Sequence, residues 1–324
     1  MKTSIILIAY NGDRWLPACV ESLGKASSSR LHLVLVDNAG NSLIDRLDLS
    51  AFDAEVLSTP QPMGFAEANN YALVNAARLE KTVLFLNQDT ISTRGWIDTC
   101  MGCLQADDSL GAVSPLITTY DGSGWDPSFL DCVGSEEDLN LELKTGTGGC
   151  FITRNAPAPA LIVRTGVIAA TGPFDPIFGS YYEDYDLCSR IREAGFRIGF
   201  ARGARIAHYS GSATDTRKKE LRRMRTIIRN RLIHRLRIAD ESRASILIKH
   251  VFMDTPRRLA RGLIGTESSQ PVRVTVGANV DLAKIGWRLA SPKRDRAAWE
   301  AYLERLRWRE RMTEIELNHR ESTG

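Results

Sequence analysis

Long apolar runs, glycine-rich phosphate loops and paired cysteines are what this chain lacks. None of its 324 residues falls in an uninterrupted apolar stretch near the roughly 18 needed to span a bilayer. The N-terminus enters a run of five apolar residues, Ile5 to Ala9, short of the roughly 7–15 of a signal-peptide core. A secreted or integral membrane protein is therefore not expected. The six cysteines are scattered. Their one close pair, Cys100 and Cys103, has no second pair to complete a zinc site, so free thiols in a reducing, cytoplasmic compartment are expected. No G-x-G-x-x-G follows the first apolar run and no P-loop occurs, so the dinucleotide and P-loop readings fall away. Internal repeats and low-complexity tracts are also missing.

What is present supports a large core. Apolar residues make up 43% of the chain, which excludes disorder and leaves room for one or two domains. The net charge of +3 hides an asymmetry: residues 1–210 carry −9, and residues 211–324 carry +12. Two parts with different partners follow from such a split.

The first part alternates short apolar runs with amphipathic stretches. Strands are expected at 4–9, 31–36, 54–58 and 82–86, and helices near 15–23, 42–49, 65–79 and 96–106. This order predicts an α/β domain: one mostly parallel sheet with helices on both faces. Further strands are expected near 112–117, 148–153, 159–164 and 196–201, and helices near 165–171 and 184–194. Gly122 to Asp131 reads as turn. After Gly211 the pattern changes to long, Arg-rich helices.

Ligands of an open parallel sheet bind beyond the carboxyl ends of its strands. Four polar clusters fall there: Tyr10-Asn11-Gly12, Asp37-Asn38, Gln61 to Gly64, and Asn87-Gln88-Asp89-Thr90. Asp89 is a hard oxygen donor suited to Mg²⁺ or Mn²⁺, and Asn87 could add a carbonyl; an Asx turn closing the strand is the alternative. Tyr181-Tyr182-Glu183-Asp184-Tyr185-Asp186 is the densest acidic cluster. Acids in a first helical turn offset the macrodipole, but three within four residues exceed that need. Crowded carboxylates gain proton affinity and can act as general bases. His208 by itself carries little information.

At these residues the chain resembles the family 2 glycosyltransferases of the GT-A fold, especially their bacterial rhamnosyltransferase-like branch. The carrying motifs are Ser4 to Asn11, Val34 to Ala39, Met63-Gly64-Phe65 to Asn70, Leu86 to Thr90 (similar to the metal-binding DXD element), Gly172 to Asp175, and Glu183 to Cys188. Together they span about residues 3–212. The resemblance implies a Rossmann-like nucleotide-binding half joined to an acceptor half. It implies donor contacts at Ala9, Tyr10, Asn11, Asp37, Asn38, Gly64, Asn69, Asn87 and Gln88. Asp89 and His208 would hold Mg²⁺ or Mn²⁺, Asp184 would be the catalytic base, and Glu183 and Asp186 would face the acceptor and brace the loop. The implied reaction is inverting transfer from a nucleotide sugar, dTDP-rhamnose or a UDP-sugar, to a saccharide or lipid-linked saccharide of the cell envelope or an exopolysaccharide. Two departures stand out. Gln88 replaces the usual Pro of the metal loop, and Ala156-Pro-Ala-Pro-Ala replaces the small residues that relatives often carry beside the acceptor.

Two other readings compete. A nucleotide-sugar-binding scaffold would keep the fold without efficient catalysis. A sugar nucleotidyltransferase would open with a Gly-rich, Arg- and Lys-bearing loop, absent after Ala9. The expected division is a catalytic domain over 1–212 and a basic helical region over 213–324. In the latter, Arg217 to Arg237 holds ten Lys/Arg and one acid, with Leu221, Met224, Ile228, Leu232 and Leu236 at helical spacing. That pattern suits peripheral attachment to an anionic membrane, at the inner face of the plasma membrane, or packing of the apolar stripe inside the protein. No nucleic-acid motif accompanies the charge. A later stripe, Trp299, Tyr302, Leu303, Leu306 and Ile315, could pack internally or form a homodimer.

Overall fold

Seven consecutive buried residues form β1 (Thr3–Ala9), and β2 (Leu31–Asp37) is buried except at its last residue. Such continuous burial marks strands covered on both faces. The computed structural model describes residues 2–38, 40, 44–209, 217–238, 241–264, 270–289 and 291–321. Around these two strands, in chain order, come α1 (Leu16–Leu23), β3 (Phe52–Ser58), α2 (Phe65–Asn75), β4 (Thr82–Asn87), β5 (Thr90–Ser92) and α3 (Trp96–Ala106). Then follow β6 (Leu110–Thr119), α4 (Pro127–Val133), α5 (Glu136–Thr145), β7 (Cys150–Thr153), β8 (Ala160–Arg164), α6 (Thr165–Thr171), α7 (Glu183–Glu193) and β9 (Arg197–His208).

The sheet runs β3-β2-β1-β4-β8-β6-β9-β5, with β7 paired to β9. Its first four strands are parallel, and the register sets Ala9 beside Asp37 and Ile8 beside Asn87. The polar clusters that follow β1, β2 and β4 therefore share one edge. The other half is mixed, correcting the mostly parallel expectation: β8 lies antiparallel between β4 and β6, and β7 and β5 run antiparallel to β9. Parallel pairing holds where strand and helix alternate; β7 and β8 follow one another with no helix between them.

Three further differences have local causes. The turn-rich stretch contains the start of α4, where Asp126 caps the helix and Pro127 occupies its first turn. α5 has one buried residue, Leu139, so it carries no apolar stripe to read. β9 runs past Ala201 to His208; Arg202 and Gly203 interrupt its apolar pattern, close to a register shift opposite Pro115 and Leu116. The expected helix near 42–49 is a single 3₁₀ turn, Ile44–Arg46, and residues 41–43 lie outside the described ones.

Two compact units emerge. The first comprises Met1–Gly179, Glu183–Ser210 and Arg307–Gly324; the second comprises Ser180–Tyr182 and Gly211–Leu306. The expected 212/213 boundary lies outside the described residues, and the last helix, α13 (Trp308–Glu321), belongs to the first unit. α13 buries Trp308, Met312 and Ile315. Its Arg311 donates to the carbonyls of Leu73 and Ala76, and His319 approaches the Leu79 carbonyl at 2.7 Å. These bonds finish the C-terminus of α2, which ends without a glycine cap.

The second unit is helical: α8 (Arg217–Ile238), α9 (Arg243–Lys249), a π-helical turn His250–Asp254, α10 (Thr255–Ile264), α11 (Gln270–Leu289) and α12 (Pro292–Arg305). α8 packs along α11. The apolar stripe of α8 is divided: Leu232 and Leu236 are buried, whereas Met224 is exposed. Buried Asp295 draws Arg237, Arg288 and Arg243 together. Asn230, also buried, donates to the carbonyls of Ser180 at 2.9 Å and Tyr181 at 2.6 Å. It thereby holds Tyr181 and Tyr182 at φ of 68° and 72°, a left-handed conformation that costs about 1–3 kcal/mol per non-glycine residue. The Trp299 stripe is not one face. Trp299 stacks on Tyr302 in this unit, whereas Ile315 is buried in the first.

Candidate active site

The register of β5 on β9 sets Thr90 opposite His208. That pairing brings Asp89, from the loop after β4, to a residue 119 positions later. His208 Nε2 lies 3.5 Å from Asp89 Oδ1, and its Nδ1 lies 2.9 Å from Asp126 Oδ2. The Tyr209 N–H donates to the Asp89 carbonyl at 2.9 Å. Asp126 is fully buried and was not foreseen; the Asp-Pro-Ser start of α4 signals a helix cap, not a histidine partner. Its Oδ1 accepts from the N–H groups of Ser128 and Phe129. Burial alone would raise the Asp126 carboxyl, but His208 and Ser128 outweigh it and hold it below its ordinary value. Burial likewise opposes charge on His208, but the hydrogen bonds and charges of Asp126 and Asp89 raise the imidazole to about 9.

The donors fit a divalent ion. Among the described residues no three His, Cys, Asp or Glu side chains converge as a protein cage. A carboxylate and an imidazole nitrogen facing each other, with the second ring nitrogen fixed by a carboxylate, form a two-donor site that leaves positions for phosphate oxygens and water. Asn87 Oδ1, two residues before Asp89, is buried without a hydrogen-bond partner among the described residues.

Gln88 ties the metal loop to the end of β1. Its Oε1 accepts from the Tyr10 N–H at 3.0 Å, and its Nε2 donates to the Tyr10 carbonyl at 2.7 Å. A Cβ at Gly12 would collide with this amide. The departure from proline thus creates a latch. Tyr10 and Asn11 are exposed beside it, and Asn11 has φ of 48°. Asp37 ends β2 next to Ala9.

Several of the expected donor-contact residues make internal contacts. Asn38 is buried: its Nδ2 donates to the Met63 carbonyl at 2.9 Å, and its Oδ1 accepts from the Met63 N–H at 2.8 Å. Asn69 is buried and donates to the Phe65 carbonyl within α2. Gly64 begins α2 and lies against the Gly179 backbone. A half-buried aromatic group was also missed. Trp15 packs on Tyr209 and Tyr120, with centroids 4.1 and 5.1 Å away, and the Arg14 guanidinium lies over Trp15 at 4.3 Å. Trp15 reads as the apolar face of α1, and only Tyr209, directly after His208, ties the group to the site.

Asp184 stands in the first turn of α7. Its Oδ2 accepts from the Ala158 N–H at 3.0 Å and its Oδ1 from the Tyr185 N–H at 2.9 Å. Burial raises its carboxyl, partly offset by these two bonds. Pro157 and Pro159 have no N–H, so the alternating prolines leave Ala158 as the donor facing Asp184. The Pro159 carbonyl accepts from the Asn87 N–H at 2.9 Å. One short segment therefore touches both the candidate base and the metal loop. Glu183 and Asp186, expected to face the acceptor and brace the loop, are placed inside the protein. Both are buried; Asp186 pairs with Arg190 at 2.9 Å, which donates onward to the Thr171 and Gly172 carbonyls. Glu183 Oε2 has no partner among the described residues, and burial and the Asp184 charge push its carboxyl well up.

The mixed sheet, with its carboxylate–imidazole pair beside a latched strand end, has the GT-A fold. Solved structures share this fold. A mannosyltransferase from Pyrobaculum calidifontis, in complex with GDP-Man and Mn²⁺, superposes with a TM-score of 0.56 at 15% identity, covering 97% of this chain and 85% of that one. S. aureus TarS 1–349 with UDP-GlcNAc gives 0.55 at 16% identity, covering 99% and 92%. GalNAc-T7 with UDP, GalNAc and Mn²⁺ gives 0.56 at 15% identity, covering 90% and 58%.

Residues 4–156 match the family model described as Glycosyl transferase family 2. The pre-mycofactocin glycosyltransferase of Mycobacterium tuberculosis (strain ATCC 25618 / H37Rv) is 30% identical over 185 residues, 55% of this chain. The chain covers 37% of that relative's length.

Proposed function

We propose that the protein is an inverting, divalent-metal-dependent glycosyltransferase that moves a sugar from a nucleotide-sugar donor, dTDP-rhamnose or a UDP-sugar, to a saccharide or lipid-linked saccharide. The observation that carries this reading is the Asp89–His208 pair, braced by Asp126 and bonded through Asn87 and Pro159 to the segment beneath Asp184. Mn²⁺ and nucleotide sugars in the neighbouring structures support the same assignment.

In this mechanism Asp89 and His208 would hold Mg²⁺ or Mn²⁺, which when bound would supply positive charge to the departing diphosphate. Asp126 keeps His208 oriented so that Nε2 faces Asp89. The Gln88 latch fixes the Tyr10 backbone, against which the donor lies, and the nucleoside lies by Asp37. Asp184 takes the proton of the acceptor hydroxyl while that oxygen attacks the anomeric carbon. The bond from that carbon to the diphosphate breaks on the opposite face, so one displacement inverts the centre. Its raised proton affinity suits Asp184 to this step. The basic second unit brings the enzyme to an anionic membrane, at the inner face of the plasma membrane, where a lipid-linked acceptor resides.

The test is product analysis over a panel of nucleotide sugars with Mn²⁺, Mg²⁺ or chelator. Metal-dependent release of nucleoside diphosphate with an inverted glycoside is expected. Pyrophosphate as product, or donor binding with no turnover on any acceptor, would overturn the proposal.

A further inference from the structure

The second unit contains a cavity of about 430 Å³ walled by Arg231 and Arg235 of α8, His250 and Asp254 of the π-helical turn, and Arg257 and Arg258 of α10. Four guanidinium groups share it with one carboxylate. Asp254 approaches Arg235 at 3.9 Å, and Arg235 also pairs with Glu241 at 3.3 Å. Among the described residues, Arg231, Arg257 and Arg258 have no ion pair. Among the described residues the buried Arg258 Nη1 has no hydrogen-bond acceptor, a state that costs free energy unless an oxygen is supplied. His250 is hydrogen-bonded to Asn279 at 2.8 Å, and the four arginines give the wall its permanent charge. Guanidinium clusters of this kind match phosphate oxygens.

The same helical run exposes apolar side chains. Ile248, Val251, Phe252 and Met253 are all solvent-exposed, Phe252 to 74%. Single exposed apolar residues are ordinary, but four within six positions are not. Three of them belong to the π-helical turn whose His250 and Asp254 line the cavity; such turns are rare in helices and frequent at functional sites. A soluble phosphate would need the arginines and no exposed phenylalanine. A nucleic acid would meet the charge and gain nothing from Val251 and Met253.

We propose that this surface docks on an anionic phospholipid bilayer: the arginine cavity takes a lipid phosphate, and Ile248, Val251, Phe252 and Met253 enter the headgroup–acyl boundary. The proposal rests on reading the basic unit as membrane-facing, and moves that role from the α8 stripe, half of it buried, to residues 248–258.

The test is co-sedimentation of the full chain with phosphatidylcholine vesicles, with and without phosphatidylglycerol. Binding only to the anionic vesicles, reversed by salt, is expected. Arg257→Glu with Arg258→Glu should weaken it about thirtyfold or more, and Phe252→Ser about tenfold. A charge-matched control in the first unit, Arg94→Glu with Lys144→Glu, should change it little. Circular dichroism checks folding, and Phe252→Ser alters an exposed side chain only. Failure of wild-type protein to bind anionic vesicles sinks the membrane reading as a whole. Wild-type binding that survives the arginine pair, or falls equally in the control, overturns this site alone. Binding that Phe252→Ser leaves intact means charge alone, and thermal protection by inorganic phosphate without vesicle binding means a soluble ligand; either overturns the bilayer assignment. Turnover on a soluble acceptor reports the transferase reading separately.

Discussion

Glu183 and Asp184 are adjacent carboxylates with different surroundings. Asp184 accepts two backbone N–H groups; Glu183 Oε2 accepts none from the described residues. Both have raised proton affinity, so the folded state binds protons that the unfolded state has released. Stability therefore falls as pH rises through this window, from the ordinary carboxylate value upward. Glu183→Gln removes that cost: the variant should melt higher at neutral pH, with a flatter dependence on pH, and keep most of its turnover. Asp184→Asn should lower turnover on the order of 10²–10⁴-fold with donor affinity held. The amide places an N–H against a backbone N–H, so calorimetric melting must accompany the kinetics. Normal turnover in Asp184→Asn would remove it as the base. His208 carries a third prediction. With the imidazole raised to about 9, its protonated form between two carboxylates stabilises the metal-free fold fully below its ordinary value of 6.5. That contribution is lost as pH rises through about 9. Metal must displace this proton, so Mn²⁺ affinity should climb with pH over the same range. Asp126→Asn retains a good helix cap but should weaken Mn²⁺-dependent nucleoside-diphosphate binding about 10–100-fold and shift the climb to lower pH. Titration calorimetry at several pH values reads both effects.

At the scale of elements, the Gln88 latch joins two loops that sequence alone keeps apart. Gln88→Ala removes two hydrogen bonds from the Tyr10 backbone, each worth about 0.5–1.5 kcal/mol. It should raise donor KM roughly tenfold while kcat changes little; a loss confined to kcat would place Gln88 in the chemical step. The same elements show what was legible in advance. β1, β2 and β4 are continuous apolar runs, and the polar residues closing them mark the edge of the candidate site by position alone. Asn38 and Asn69 sit on that edge but turn inward, because each can satisfy a nearby carbonyl; a letter in a motif does not disclose the direction of its side chain. Asp126 and the end of β9 were hidden for another reason. His208 meets Asp89 and Asp126 through strand register over long separations, which no local pattern encodes.

Across the molecule, charge and packing divide differently. The basic excess follows residues 211–324, but α13 belongs by packing to the first unit. Deleting residues 307–324 should lower that unit's stability by about 3 kcal/mol or more, the scale of losing one large buried side chain. Thermal unfolding measures this, and an unchanged midpoint would make α13 an appendage. One outcome concerns synthesis on the ribosome. The carbonyls of Leu73 and Ala76 receive Arg311 from more than 230 positions downstream. A nascent chain can assemble its parallel strands early, but it holds α2, whose first residues follow Gly64, with an unfinished end until almost all of the described chain has emerged. Translation stalled before Arg311 thus yields a recognisable sheet that quality-control proteases can still open, so the durability of the first unit waits on the synthesis of α13.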